Sequence, residues 1–311
     1  MDAKAAKKMS LAVPSLAFGA SPLGSMPDVY GYSVEEDVAL ETIRAIFDIE
    51  PFFLDTSRNY GWGRSEERIG RVIRERGGVP AGSVLATKLD RDFETNRFDA
   101  AVARRSFEES LKALGVERID ILHLHDPEHC ADLDEVTRKG GAIDELFRIK
   151  EEGLVGHVGL AMGKMSQLQD LLSRWDFDIV LSHSRFTLLN RQADTLFDEA
   201  HHRGISIFNA APYASGVLAK GSGTSRRLFY QDATDEQLQP VRKLEDICSR
   251  YGVPLGAAAL QFSMQDSRVT STICGVSKPE RVAQTLDWAQ WPIPAEAWEE
   301  IEALPFETGE P

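Results

Sequence analysis

Ile119-Asp-Ile-Leu-His-Leu-His125 is a seven-residue run of apolar and β-branched residues that ends abruptly in a histidine. Its length and composition predict a buried strand. On either side lie segments of helical period, Arg97 to Leu114 before it and Gly141 to Glu152 after it. A strand framed by two amphipathic helices belongs to a crossover unit, in which successive strands pair in parallel.

The same alternation extends in both directions. Further strands are predicted at Leu16 to Ala20, Phe52 to Asp55, Val84 to Lys88, Val155 to Ala161, Phe177 to His183, Ile205 to Ala210 and Val269 to Gly275. Helices are predicted at Val34 to Ile49, behind the capping-box pattern Ser33-x-x-Glu36, and at Arg64 to Arg76, Lys164 to Arg174, Arg191 to Arg203, Glu236 to Tyr251 and Lys278 to Trp288. Eight strand–helix units are the number that closes into an α/β barrel, the (β/α)8 TIM barrel. An open doubly wound sheet is the alternative. No linker-like stretch divides residues 1–311, so one domain is expected, with two additional helices at Pro254 to Gln265 and Pro294 to Leu304. The longest irregular piece, Tyr213 to Thr234, follows the seventh strand and carries Gly216, Gly221 and Gly223.

The composition is that of an ordinary globular chain, 42% apolar and 27% charged over 311 residues. With 35 Lys and Arg against 49 Asp and Glu, the net charge of −14 disfavours nucleic acid and anionic membranes as partners. Any anionic ligand must therefore meet a local cluster of cations or backbone amides. Cys130, Cys248 and Cys274 are odd in number and widely spaced, which fits a reducing, cytoplasmic setting. Lys4, Lys7 and Lys8 ahead of Leu11 to Ala20 resemble the start of a secretory signal, but Pro14 interrupts the apolar run and the stretch reads better as the first strand.

In a parallel barrel the chemistry gathers at the C-terminal ends of the strands. Three successive strands end in ionisable residues: Asp55, Lys88 and His125, and Tyr60 follows Asp55 in the next loop. These four groups make a tyrosine acid/base site. The phenol of Tyr60 would give or take the proton, the Lys88 ammonium would lower its pKa, Asp55 would hold Lys88, and His125 would orient the substrate oxygen. No metal is required. The Gly- and Ser-containing loop after the seventh strand offers backbone donors to phosphates.

The run Asp55-Thr-Ser-Arg-Asn-Tyr60-Gly-Trp-Gly-Arg-Ser65-Glu66, followed by Thr87-Lys88 and Asp120-Ile-Leu-His-Leu-His125, resembles the aldo-keto reductases, from about Leu16 to Leu304. The resemblance implies a single barrel that binds NAD or NADP without a Rossmann domain, and no GxGxxG is present. It also implies that Pro212, Ser215, Gly216 and Leu218 form the pyrophosphate loop. By the same resemblance, Gly275, Ser277, Lys278, Arg281 and Gln284 form the adenosine-ribose segment. Lys278 and Arg281 would suit a 2′-phosphate, whereas Gly275 replaces the lysine of many NADP-preferring members. Other departures are Ala161-Met162 in place of a Ser-Asn pair, His183 in place of a glutamine, and Ala210 in place of a ring-stacking tyrosine. His183 is expected to take over the glutamine's hydrogen bond.

Residues 183–189, 252–262 and 292–298 resemble the family's bacterial branch of aldose 1-dehydrogenases and pyridoxal 4-dehydrogenases. That branch implies a sugar, aldehyde or pyridoxal-like substrate. Trp62 and Tyr30 are expected as pocket walls, and only Pro305 to Pro311 follow the last predicted helix, which implies an open site. Two other readings stand beside this one. His123-Leu-His125 with His157 and His183 would suit a metal-dependent amidohydrolase-like barrel, and a barrel can also serve as a non-catalytic nicotinamide-binding regulatory subunit. A small-molecule substrate is the expected partner, with a homo-oligomer also admitted.

Overall fold

The computed structural model describes residues 11–229 and 231–309. The lysines of the signal-like start lie outside them. Eight parallel strands close into a barrel: β1 (Leu16–Gly19), β2 (Phe53–Asp55), β3 (Val84–Leu89), β4 (Ile119–His125), β5 (Val155–Ala161), β6 (Ile179–His183), β7 (Ser206–Ala210) and β10 (Val269–Gly275). The hydrogen-bonded order β1-β10-β7-β6-β5-β4-β3-β2 is cyclic, which excludes the open doubly wound sheet. The two remaining strands, β8 (Arg227–Leu228) and β9 (Gln231–Asp232), form a small antiparallel hairpin inside the long loop after β7. That loop also contains the short helix Val217–Lys220, so it is less irregular than its composition implied.

Two apolar layers hold the barrel. Inside, Ala17, Phe53, Ala86, Ile121, Phe208 and Ile273 pack together, with the rings of Phe53 and Phe208 edge to face at 5.3 Å. Outside, the apolar stripes of the helices cover the opposite faces of the strands. In the helix Arg64–Arg76, for example, Ile69, Val72 and Ile73 are buried at helical spacing. The helix Ala100–Leu114 shows how such an element is delimited. Asp99 accepts a hydrogen bond from the Val102 N–H at its start, and Gly115, at φ 72°, closes its end. Substituting Ala for such a cap typically costs about 1 kcal/mol.

The expected capping box at Ser33 is not used. The first long helix runs Glu36–Phe47 with Glu35 as its N-cap and no side-chain cap. The reason is tertiary: the Val34 N–H donates to Ser25 Oγ, and the Val34 carbonyl accepts from Arg68 Nη1. Those bonds hold Val34 outside the helix. The two additional helices are present as Leu255–Met264 and Ala295–Glu302. Among the described residues no helix is long and apolar enough to cross a membrane.

Candidate active site

The register of the barrel sets the site. Gly19 pairs with both Asp55 and Gly275, His125 with Ala161, and His183 with Ala210, so these residues form one rim at the C-terminal mouth. Lys88 projects from β3, 1% exposed, and donates from Nζ to Asp55 Oδ1 at 2.7 Å, to the Thr56 carbonyl at 2.6 Å and to Tyr60 Oη at 3.2 Å. Tyr60 is placed by backbone packing. Gly61, at φ 65°, brings its Cα against Gly24 so closely that a Cβ there would meet the Gly24 oxygen at 1.9 Å. Tyr60 and His125 meet edge to face at 5.8 Å. The four residues expected at the site are therefore together.

His125 has two acidic neighbours that strand-end reading did not supply. Its Nδ1 lies 2.6 Å from Asp90 Oδ1 and 3.1 Å from Ser57 Oγ, while its Nε2 lies 3.5 Å from Asp126 Oδ2. Burial disfavours charge on the imidazole, but Asp126 and Asp90 outweigh it and raise the His125 pKa above its ordinary value. Asp90 follows Lys88 by two residues and Asp126 follows His125 directly, so each resembled an ordinary loop charge.

One electrostatic expectation is corrected. The net shift on Tyr60 is upward rather than downward: burial, followed by the negative charges of Asp55 and its neighbours, pushes the phenol well above 10. The ammonium is already paired with the Asp55 carboxylate at 2.7 Å. Asp55 is itself shifted upward, because burial exceeds the pull of Lys88. Tyr60 is thus a protonated phenol at neutral pH.

A cavity of about 220 Å³ opens over this cluster, lined by Tyr60, Lys88, His125, Asp126 and His183 with apolar walls from Met26, Val29, Leu181 and Ile273. Burial holds the His183 pKa at about 4, so its ring is neutral. Tyr30 is a wall residue as expected, donating its hydroxyl to Ser21 Oγ. Trp62 does not line this cavity. It sits over Phe93, edge to face at 4.9 Å, at a separate depression with Arg58 and Asp90.

A second cavity of about 120 Å³ continues from the first, sharing Pro22, Tyr30, Ala211 and Gly275. Ser215, Gly216, Ser277 and Arg281 line it, as do Tyr32 and Lys220, which carried no signal in the sequence. Ala214, Ser215 and Gly216 all adopt positive φ, a backbone concavity suited to anions. Leu218 and Pro212 do not reach it: both are buried, and the Leu218 N–H is spent on the Tyr213 carbonyl. Lys278 is exposed and outside the lining, while Gln284 accepts from Arg281 Nη1 and holds that guanidinium. An extended slot runs from an acid/base cluster to two cations, which fits an anionic dinucleotide.

The histidines of the metal reading are not brought together. His157 lies toward the N-terminal end of β5, 4.0 Å from Asp178, and His123 is buried against Phe208 below Lys88. Among the described residues no group of three or more His, Cys, Asp or Glu is arranged to hold a metal.

A model of the Aldo/keto reductase family matches residues 15–305. The chain is 30% identical to a D-threo-aldose 1-dehydrogenase from a Pseudomonas species, over 96% of this chain and 95% of the relative. It is 28% identical to a pyridoxal 4-dehydrogenase from Microbacterium luteolum, with the same coverage of 96% and 95%. Among solved structures, the holo form of an aldo-keto reductase from Bacillus halodurans superposes with a TM-score of 0.75 at 21% identity, covering 97% of this chain and 95% of that one.

Proposed function

The chain belongs to the Aldo/keto reductase family, and from that premise we propose that it oxidises an aldose at its anomeric carbon or, in reverse, reduces an aldehyde. Its broader activity is oxidoreduction with NAD or NADP. The observation that carries the finer reading is the meeting of Tyr60 Oη, Lys88 Nζ and the Nε2 face of His125 on one cavity, continuous with the slot that ends at Lys220 and Arg281. The named activities of the sugar and pyridoxal relatives support the same substrate range.

The residues divide the work. Ser215, Gly216, Ser277, Lys220 and Arg281 would hold the dinucleotide's anionic part, and His183 is the polar side chain at the nicotinamide end. The bound coenzyme supplies or accepts the hydride. Tyr60 Oη gives its proton to the carbonyl oxygen in reduction, and in oxidation it is the phenolate form that takes one from the anomeric hydroxyl. His125 gives direction through Nε2–H. Because Nδ1 faces the Asp90 carboxylate and donates to it, Nε2 carries a proton when the ring is an imidazolium. Lys88, held by Asp55 and Thr56, stabilises charge that builds on Tyr60 Oη as its proton leaves.

The test is a panel of aldoses, pyridoxal and simple aldehydes with each coenzyme, followed at the nicotinamide absorbance. Turnover of aldoses or aldehydes is expected, lost in Tyr60→Phe while coenzyme still binds. Silence across the panel, or full activity in Tyr60→Phe, overturns the reading.

A further inference from the structure

Among the described acidic residues at the mouth, Asp126 is the one that accepts no hydrogen bond on either carboxylate oxygen. Asp55 holds Lys88, and Asp90 is bonded to His125, Ser57 and the Asn59 N–H. Asp126 Oδ1, by contrast, is buried and has no hydrogen-bond partner, and Oδ2 is 3.5 Å from His125 Nε2, too long for a hydrogen bond. Both residues line the cavity above Tyr60.

The position is built to be rigid. Asp126 sits in left-handed backbone at φ 42° and ψ 50°, and its N–H donates to the Ala161 carbonyl at the end of β5. Two residues on, Glu128 Oε1 accepts from the N–H groups of Gly163 and Lys164, which ties the loop after β4 to the loop after β5. A carboxylate fixed in this way cannot turn aside to find another donor. His125, His183, His129 and Lys88 surround it and hold its pKa below the usual value in spite of burial, so it is an anion that only accepts hydrogen bonds.

The donor it lacks must come from the ligand. The reacting oxygen is taken between Tyr60 Oη and His125 Nε2, and the Asp126 carboxylate lies immediately beyond Nε2. The group of the substrate that reaches it is the one on the carbon next to the reacting carbon. We propose that Asp126 selects substrates with a hydroxyl on the carbon adjacent to the carbonyl or anomeric carbon, by accepting a hydrogen bond from that hydroxyl on Oδ2, the carboxylate oxygen beside His125 Nε2. This rests on the oxidoreductase reading above and narrows it to α-hydroxy carbonyls and their cyclic hemiacetals. A site with a desolvated acceptor rejects a ligand that cannot donate, because the acceptor then stays unpaired.

The experiment compares the wild type with Asp126→Asn and Asp126→Gly, both of which tolerate left-handed backbone. 2-Hydroxypropanal and its deoxy analogue propanal are reduced in parallel. In a separate calorimetric arm the coenzyme-bound protein is titrated with xylitol, which has the hydroxyls but no carbonyl. The wild type is expected to favour 2-hydroxypropanal over propanal in kcat/KM by about ten- to a hundredfold, mostly through KM. Asp126→Gly is expected to lose that ratio and to weaken xylitol binding by a similar factor, with Asp126→Asn in between. A ratio unchanged in Asp126→Gly overturns the proposal, as does equal xylitol affinity in the two proteins. If the wild type reduces neither aldehyde, the oxidoreductase reading falls, and the xylitol comparison alone decides the role of Asp126.

Discussion

His125 Nδ1 lies 2.6 Å from Asp90 Oδ1, a contact buried at both ends. This bond fixes which nitrogen faces the cavity and favours the imidazolium whose Nε2–H can hold a substrate oxygen. Burial alone would lower the His125 pKa, and Asp126 and Asp90 reverse the sign. Reduction is therefore expected to lose kcat/KM as pH rises through this elevated pKa, since the donor proton leaves. In Asp90→Asn the amide still accepts but its charge is gone, so the falling limb moves to lower pH and kcat/KM near neutrality drops by up to about 10²-fold. A pH–rate profile of the two proteins measures this. An unmoved limb would detach His125 from the proton inventory of the reaction.

The Lys88–Asp55 pair gives a stability prediction with a built-in control. Removing one member of a buried pair leaves an uncompensated charge, at a cost of about 3–5 kcal/mol. Lys88→Met is expected to fall near the lower end, because Asp55, already shifted upward by burial, can take up a proton. The double variant Asp55→Asn/Lys88→Met should recover most of that stability and none of the activity. Denaturant unfolding and turnover of the three proteins separate the roles. If the double variant unfolds as readily as Lys88→Met, the pair is not what the barrel mouth depends on.

The contrast between His125 and Asp126 marks how far sequence reading reaches. His125 closes a continuous apolar run, so its place at a strand end was legible before any coordinates. Asp126 is one residue later, in left-handed backbone that no local pattern announces, and its importance comes from the space it shares with Nε2. The eight strands were legible because burial on both faces demands apolar, β-branched runs. The start of the first long helix was not, since Ser25 and Arg68, far apart in sequence, capture the backbone of Val34. The tetrad was legible as residue types, but the direction of the Tyr60 pKa was not. That sign depends on burial and on the Asp55, Asp90 and Asp126 carboxylates, which only the closed barrel gathers. Leu218 and Trp62 erred for a related reason: resemblance places a residue along the chain but does not orient its side chain.

Glu66 links the site to pH-dependent stability. It is fully buried, and Thr87, the neighbour of Lys88 on β3, donates to its Oε1 at 2.6 Å. Burial pushes its pKa from 4.5 to about 7 against the opposing effect of Thr87, Ser110 and Arg58. The folded state thus binds the Glu66 proton more tightly than the unfolded chain does. The stabilisation is full below about 4.5 and is lost as pH rises through about 7, by roughly 3 kcal/mol in all. Glu66→Gln keeps an oxygen for Thr87 and cannot ionise. Its stability relative to the wild type should therefore rise between pH 5 and pH 8, as denaturant midpoints at the two pH values would reveal. A constant difference would mean that Glu66 is not ionising in the folded protein.

Lys220 and Arg281 make the last prediction, about the far end of the slot. Both line the second cavity, Lys220 Nζ rests 4.9 Å from the centre of the Tyr32 ring, and burial and then Arg281 lower the Lys220 pKa. In a chain of net charge −14, two cations that face one cavity, with no ion pair to either among the described residues, are an arrangement that an anion relieves. Lys220→Ala and Arg281→Ala are each expected to weaken coenzyme binding about tenfold, the loss of one charge-assisted contact. The deficit should shrink as salt screens the interaction in the wild type. Fluorescence titration of coenzyme at low and high ionic strength tests both parts. Unchanged affinity in both variants would place the anionic end of the coenzyme away from these two side chains, leaving the backbone concavity at Ser215 and Gly216 as its anchor.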